Sequence, residues 1–500
     1  VNDFFAGMPF RAVLKVKGKT LPLARFEVMY SVNLLSNATA DLAIGRPMDG
    51  AATVNSFDFL RGEPAQLVLI AEAGAVDPVS GDALYPPGEH LLFDGLINDS
   101  APVGLVKGSF AVRVGLVSKL ALLASGSLQL NGLAPTSFLN TALAISGPTS
   151  NAQTPAGVNS LFRSSSLTAD FWKTLKDVLT VISQNGLANV PQGRIPQELR
   201  ELGIGAANKQ AADLLATILG ELEFNAEWKA TELSVSLAQY LNSLFMGDFL
   251  MESFFNRVVN LGTEFKYRVV EHASGFKAVP YSPFFRTSEA TSIRPSSFTK
   301  VGWAVNEIAS CRGVFMIHNG SSATDSKDSG VQSLLTGFHK RDTDAGPFGM
   351  FVPIPAPPWF YNRTVTSNRF SVTTGSTARV VANLYSREVA LELAYRGRSL
   401  VVETPLRLDI GPLHAVRLFY PTGLGLESTP SVYGSVQTVK LYADAGTKTA
   451  GTTYEIGYVR SHAQQTAELA DYKHPIWAGQ NGQPYTGGSL LYAPGAKPAG

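Results

Sequence analysis

Between residues 10 and 120, apolar and polar positions alternate with a period of two, the mark of half-buried strands. Leu14 and Val16 alternate with Lys15 and Lys17, and Gly18-Lys19 turns the chain. Phe26, Val28 and Tyr30 form the next set, and Leu42 and Ile44 follow before Gly45-Arg46-Pro47. Residues 67–71 are a continuous apolar run, and Phe110, Val112, Val114 and Leu116 alternate with Ala111, Arg113 and Gly115. The run 91–97 reads as a strand interrupted by Asp94-Gly95, and a glycine there predicts a bulge or a sharp bend of the kind that closes barrels. Residues 77–82 and Pro86-Pro87-Gly88 read as loop. Together these predict one small antiparallel β-barrel within residues 1–120.

A second stretch, 396–463, has the same character. Leu406, Leu408 and Ile410 alternate with Arg407, Asp409 and Gly411, so the spacing predicts a strand with the arginine and aspartate on its polar face. Residues 416–420 are apolar and closed by Pro421 and Gly423. Val439 and Leu441 share a face, Asp444-Ala445-Gly446-Thr447 turns, and Tyr454, Ile456 and Tyr458 alternate onward. Short strands at near-regular spacing predict a second small barrel or sandwich.

The segment between them changes period. Residues 121–263 read as a Ser/Gly/Ala-rich connector followed by a helical insertion. Phe171, Leu175, Val178, Leu179 and Ile182 follow helical spacing, as do Leu233, Leu237, Tyr240, Leu241 and Leu244. Residues 264–395 read as a mixed α/β region with a hairpin around Ala273-Ser274-Gly275. Within it, 346–361 interleaves five prolines with Phe348, Phe351, Trp359 and Phe360, an extended run. Residues 464–500, rich in Gly, Pro and Tyr, read as an extended arm. The expected fold class is therefore α+β, two small antiparallel barrels separated by a helical and mixed insertion.

Composition sharpens this. Charged residues are 16% of the 500, below the ~25% of typical soluble domains, while aromatics are 10%. A chain so poor in charge is expected to hide much of its surface against partners. A net charge of +1 gives no electrostatic case for specific nucleic-acid binding or for a membrane surface. No window reaches the ~18–20 apolar residues of a spanning helix. The first residues lack the basic-then-apolar pattern of a signal peptide, and the single cysteine, Cys311, excludes an intrachain disulfide. Both fit synthesis in a reducing cytoplasm.

Candidate chemistry is sparse. The histidines, at 90, 272, 318, 339, 414, 462 and 474, show no HExxH-type spacing. Asp77 with Asp82, and Asp342 with Asp344, lack the ligand cadence of a calcium loop. There is no G-x-S-x-G elbow and no phosphate loop. No catalytic, cofactor-binding or metal-ligating residue is singled out, and no cofactor is expected. Close carboxylate pairs are a tertiary fact, so a carbohydrate- or peptidoglycan-degrading enzyme with aromatic walls near Trp359 stays open as an alternative. So does a structural or receptor-binding protein.

The order of regions, barrel, helical and mixed middle, barrel, resembles the baseplate or tail hub proteins of tailed bacteriophages and related contractile injection systems. Residues 25–44 are similar to the family's opening strand pair, 92–97 to its F-x-G-x-I strand, and 436–443 with 454–460 to the closing hairpin of its second barrel. The long helical insertion and the arm after 464 depart from that pattern. The resemblance implies a non-enzymatic virion protein of the tail tip, made in the host cytoplasm. It implies a homotrimer whose six tube-like barrels adapt a six-fold tail tube to a three-fold axis. Its implied partners are the tube or distal tail protein above and a central spike, fibre or tape-measure protein below.

Overall fold

The structure, a computed structural model, describes residues 5–44, 59–119, 267–319, 333–341, 349–355, 377–419, 431–473 and 490, less a few positions inside these ranges, with short strand pieces at 127–128, 222–224 and 249–250. The expected connector and helical insertion lie almost entirely outside the described residues.

Six strands build the N-terminal unit: β1 (Phe10–Val16), β2 (Lys19–Ser31), β3 (Asn37–Ile44), β4 (Pro64–Ala71), β5 (Gly88–Val106) and β6 (Ser109–Ser118). They pair antiparallel in the order β1-β4-β5-β6-β3-β2, and β2 pairs back onto β1, so the barrel closes as expected. Its interior holds Leu14, Val28 and Val114 of the alternating sets read from sequence, Leu67 and Leu69 of the continuous apolar run, and Ala40, all fully buried. The break expected at Asp94-Gly95 is not there: the two residues pair in regular register with Gln66 and Ala65, and the irregularities fall on either side. β5 bulges at Leu92 against β4 and at Asn98 against β6. Gly95, between these bulges, sits so close to the Val117 carbonyl that a Cβ would stand 2.5 Å from it.

The intervening region supplies a hairpin, β7 (Tyr267–His272) and β8 (Gly275–Pro280), then β9 (Thr291–Ile293) and β10 (Lys300–Val305). A three-stranded sheet follows from β11 (Cys311–Asn319), β12 (Ser333–Lys340) and β13 (Met350–Pro355), with α1 (Thr377–Tyr395) packed on one of its faces. β14 (Arg398–Thr404), β15 (Ala415–Phe419), β16 (Ser431–Asp444) and β17 (Thr449–Ser461) come next, and α2 (His462–Leu469) is the last element among the described residues.

β9, β15, β16, β17, β14 and β10 form a second six-stranded unit, in that order. Its pairings repeat those of the barrel in chain order. β10–β14, β14–β17, β17–β16 and β16–β15 are antiparallel, like β2–β3, β3–β6, β6–β5 and β5–β4. β15–β9 stands where β4–β1 does, although it is parallel. The counterpart of the closing pair β1–β2 would be β9–β10, which is not formed among the described residues. Local detail repeats too. β16 has a bulge at Gln437 as β5 has at Asn98, and a Cβ on Gly434 would stand 3.0 Å from the Gly457 carbonyl, as Gly95 faces Val117.

Two local readings change. Residues 406–410 do not form the expected strand; the chain bends at Leu406 and Asp409. Leu406, Leu408 and Ile410 do point inward, and the Leu408 amide donates to the Leu84 carbonyl at 2.9 Å. The polar alternate, Arg407, is buried rather than on a solvent face. Residues 462–469, partly read as arm, form α2 behind a Ser461/Gln464 capping box.

Candidate functional site

The feature with the most construction behind it is the joint between the two β units. β2 uses one edge twice. Residues 19–22 pair with β1 and close the barrel; residues 25–31 pair antiparallel with 444–438 of β16. Its other edge pairs with β3. The two units thus share one continuous 12-stranded sheet and one hydrophobic core. The joint is extended at both ends: the Ala445 amide donates to the Ala24 carbonyl, and Val32 to Gln437, each at 2.9 Å.

Period two sets the chemistry of its faces. On the core side, Phe26, Val28 and Tyr30 stand opposite Ala443, Leu441 and Val439, all buried. The Tyr30 hydroxyl, deep in the barrel, donates to the Leu92 carbonyl. On the other face lie polar pairs: Lys440 Nζ meets Glu27 at 2.8 Å, and Arg113 grips Asp41 with two bonds of 2.7 and 2.9 Å. The Tyr442 hydroxyl donates to Glu403. Burial, and then that carboxylate, push the Tyr442 hydroxyl up to about 12. Half-exposed ion pairs contribute little, about 0–1 kcal/mol each, so the inward apolar row holds the joint.

A second polar concentration lies where α1 and α2 meet residues 282–286 and β12. Arg341 reaches Glu468 at 3.0 Å, the Tyr395 hydroxyl donates to the same carboxylate at 3.0 Å, and all three are buried. Burial, and then Glu468, raise the Tyr395 hydroxyl to about 12. Ser282 and Tyr472 both donate to Glu388, at 2.5 and 2.6 Å. Arg460 lies against the rings of Phe284 and Phe285, donating to Gln465 and to the Tyr458 carbonyl. Its burial lowers the guanidinium to about 10. These bonds tie α2 to both the second β unit and the α1 layer. The arrangement fixes position, and a cleft of about 320 Å³ lies beside Glu468, His339 and Asp471.

Arg407 forms a fork with Asp409, at 2.8 and 2.5 Å, and lines a cleft of about 370 Å³ between the start of β1, residues 75–85 and the turn at Lys448. Glu271 of β7 docks its carboxyl on Ser36 and Ser118 at the rim of the barrel. Burial drives that carboxyl up to about 7, against the opposing effect of the two serines.

The weighed residues fall as follows. His90 bonds the Pro86 carbonyl, His414 meets Thr291 and His462 meets Tyr433. Asp77 is buried, while Asp82, Asp342 and Asp344 lie outside the described residues. Among the described residues, no group of three His, Cys, Asp or Glu is placed to hold a metal ion, and no helix is long and apolar enough to cross a membrane. Of the aromatic stretch, Phe351 sits on β13 stacked on Phe338, both partly exposed, and Trp359 and Phe360 lie outside the described residues. Sequence reasoning missed the joint and the buried ions. The paired glycines at 95 and 434, each beside an aromatic or acidic neighbour inside an apolar run, were the available signal for the repeat.

No family model matches the chain, and no curated protein matches it. Among solved structures it is similar to a tail protein from Neisseria meningitidis MC58, with 10% identity, 92% of this chain and 99% of that chain covered, and a TM-score of 0.44. It is similar to the 43 kDa tail protein of prophage MuSo2 from Shewanella oneidensis, at 8% identity, 89% and 98% coverage and a TM-score of 0.44. It is likewise similar to the prophage tail protein gp18 from Listeria monocytogenes EGD-e, at 8% identity, 92% and 99% coverage and a TM-score of 0.38. A component of the type VI secretion system, the E. coli c3393 protein, is similar too, at 9% identity, 93% and 80% coverage and a TM-score of 0.35.

Proposed function

We propose that this chain is a structural hub of a phage tail, a homotrimer whose six β units form a ring between a six-fold tube and a three-fold spike or fibre. The observation that carries the reading is the repeat of pairings in chain order, β1-β2-β3-β4-β5-β6 and β9-β10-β14-β15-β16-β17, joined edge to edge at β2–β16. Two like units side by side in one sheet are what a three-copy, six-unit ring requires. In this reading the second unit is also a barrel. Its two end strands are neighbours in sequence, separated only by residues 294–299, a tether that spans at most about 25 Å.

The role is mechanical rather than catalytic. The low charge content belongs to flanks that bury against neighbouring copies, and the partners are the tube or distal tail protein on one side and the spike, fibre or tape-measure protein on the other. The protein then resides at the tail tip of the virion. The test is native mass spectrometry of the purified full chain with image averaging of the particles. The expected result is a trimer with six lobes about a central channel. A protein that stays monomeric at high concentration, or a ring with three lobes, overturns it.

A further inference from the structure

The cleft of about 370 Å³ draws its walls from both β units: Phe10, Val76 and Tyr85 from the first, Leu406, Arg407 and Lys448 from the second. Ligand sites run from about 300 to 1,000 Å³, so this one is at the small end. Its walls are anchored across the units. The Arg407 amide donates to the Thr452 hydroxyl at 3.0 Å, and the Leu408 amide to the Leu84 carbonyl at 2.9 Å. The turn that carries Lys448 is held by the Ala445 amide on the Ala24 carbonyl. The cleft therefore exists only while the two units are joined.

Its polar groups are not used up by the fold. Arg407 and Tyr85 are only 2% and 3% exposed, yet both line this space. The fork to Asp409 engages Nε and Nη2 of Arg407, which leaves Nη1 without a hydrogen bond among the described residues. The Tyr85 hydroxyl has none there either, and burial raises it, so it keeps its proton and stays a donor. Unused donors on side chains this buried are unusual in a folded protein. Lys448 adds a third donor. It is exposed, forms no ion pair among the described residues, and its ammonium would stand 3.9 Å from a Cβ on Gly7.

Charge then selects the ligand. Asp77, also in the wall, and Asp409 both act on Arg407. With Lys448 the formal charge around the cleft sums to zero. An ion entering would leave an unbalanced charge among apolar side chains, which is costly. Arg407 and Lys448 only donate hydrogen bonds, so the ligand must bring acceptors. Three donors around Phe10, Val76 and Leu406 complement an uncharged apolar group flanked by carbonyls, which is the chemistry of one apolar residue within a polypeptide. We propose that the cleft takes a single uncharged apolar residue of a partner polypeptide, whose flanking carbonyls accept from Tyr85, Arg407 and Lys448. The cleft lies within one chain, so its occupancy does not depend on the ring.

The test is saturation-transfer NMR of the full chain with a blocked pentapeptide, serine-glycine-phenylalanine-glycine-serine. Transfer to the phenylalanine ring is expected. The same peptide with glutamate or lysine at its centre is expected to bind at least about tenfold more weakly. Val76→Arg, which fills the cleft from an exposed position, is expected to abolish transfer. Tyr85→Phe and Lys448→Ala each remove one donor and are expected to weaken binding about two- to tenfold. Val76 and Lys448 are exposed, so these two variants test the site without disturbing the core. No transfer from the phenylalanine peptide, transfer that survives Val76→Arg, or equal binding of the charged peptides overturns the site.

Discussion

Val28 of β2 stands directly opposite Leu441 of β16, and both side chains are fully buried in the core that the two β units share. Truncating Leu441→Ala is expected to cost about 2–5 kcal/mol, as for other buried leucines. Lys440→Ala, beside it on the exposed face, is expected to cost no more than about 1 kcal/mol. Because Val28 and Leu441 touch through one interface, a double-mutant cycle of the two alanine variants should give a coupling of about 0.5–3 kcal/mol in urea denaturation. Strictly additive losses would mean that the two units do not depend on this contact.

The Arg341–Glu468 pair gives an asymmetric expectation. Glu468→Ala leaves a buried guanidinium without its carboxylate and is expected to cost about 3–5 kcal/mol. Arg341→Met/Glu468→Gln removes both charges and keeps an acceptor for Tyr395. It should recover most of that loss. Thermal unfolding of the three proteins decides: a double variant as unstable as the single one contradicts the account.

Glu271 makes stability depend on pH in the opposite sense to an ordinary paired carboxylate. Its folded-state value is about 7, above the usual 4.5, so the folded protein holds the proton more tightly. Its contribution is fullest below 4.5 and is lost as pH rises through 7, by about 3 kcal/mol for a shift of this size. Glu271→Gln is expected to match the parent at pH 4.5 and exceed it at pH 8, with slower amide exchange in residues 267–280. Equal stability at both values would remove Glu271 from this role.

Gly313 lets Phe351 lie across the sheet. A Cβ there would stand 2.4 Å from the His339 carbonyl and 2.7 Å from the Phe351 ring. The ring can swing but the carbonyl cannot, so Gly313→Ala is expected to cost about 1–3 kcal/mol, read as a lowered melting temperature.

Much of the β architecture was legible in the sequence because period two survives without tertiary help. The set Phe26, Val28, Tyr30 and the set Tyr454, Ile456 are inward as the alternation indicates. Membership of the second unit was less legible. β9 and β10 hold three and six residues and lie far in sequence from β14, so no local pattern links them. Arg407 was misplaced because alternation assigns a face without naming a partner, and Asp409, two residues on, neutralises it within the fold. The joint depends on register between residues more than 400 apart, which propensity does not encode.

That separation sets a clock for synthesis. Residues 10–118 contain every strand of the first barrel, so it can close while the rest of the chain is still being made. The second half of β2 gains its partner only once residue 444 has been translated. At about 5–20 residues per second, the closed barrel holds this edge open for on the order of 15–65 s. During that interval a nascent chain presents an open strand edge, and polysomes are where unintended pairing between neighbouring copies would begin.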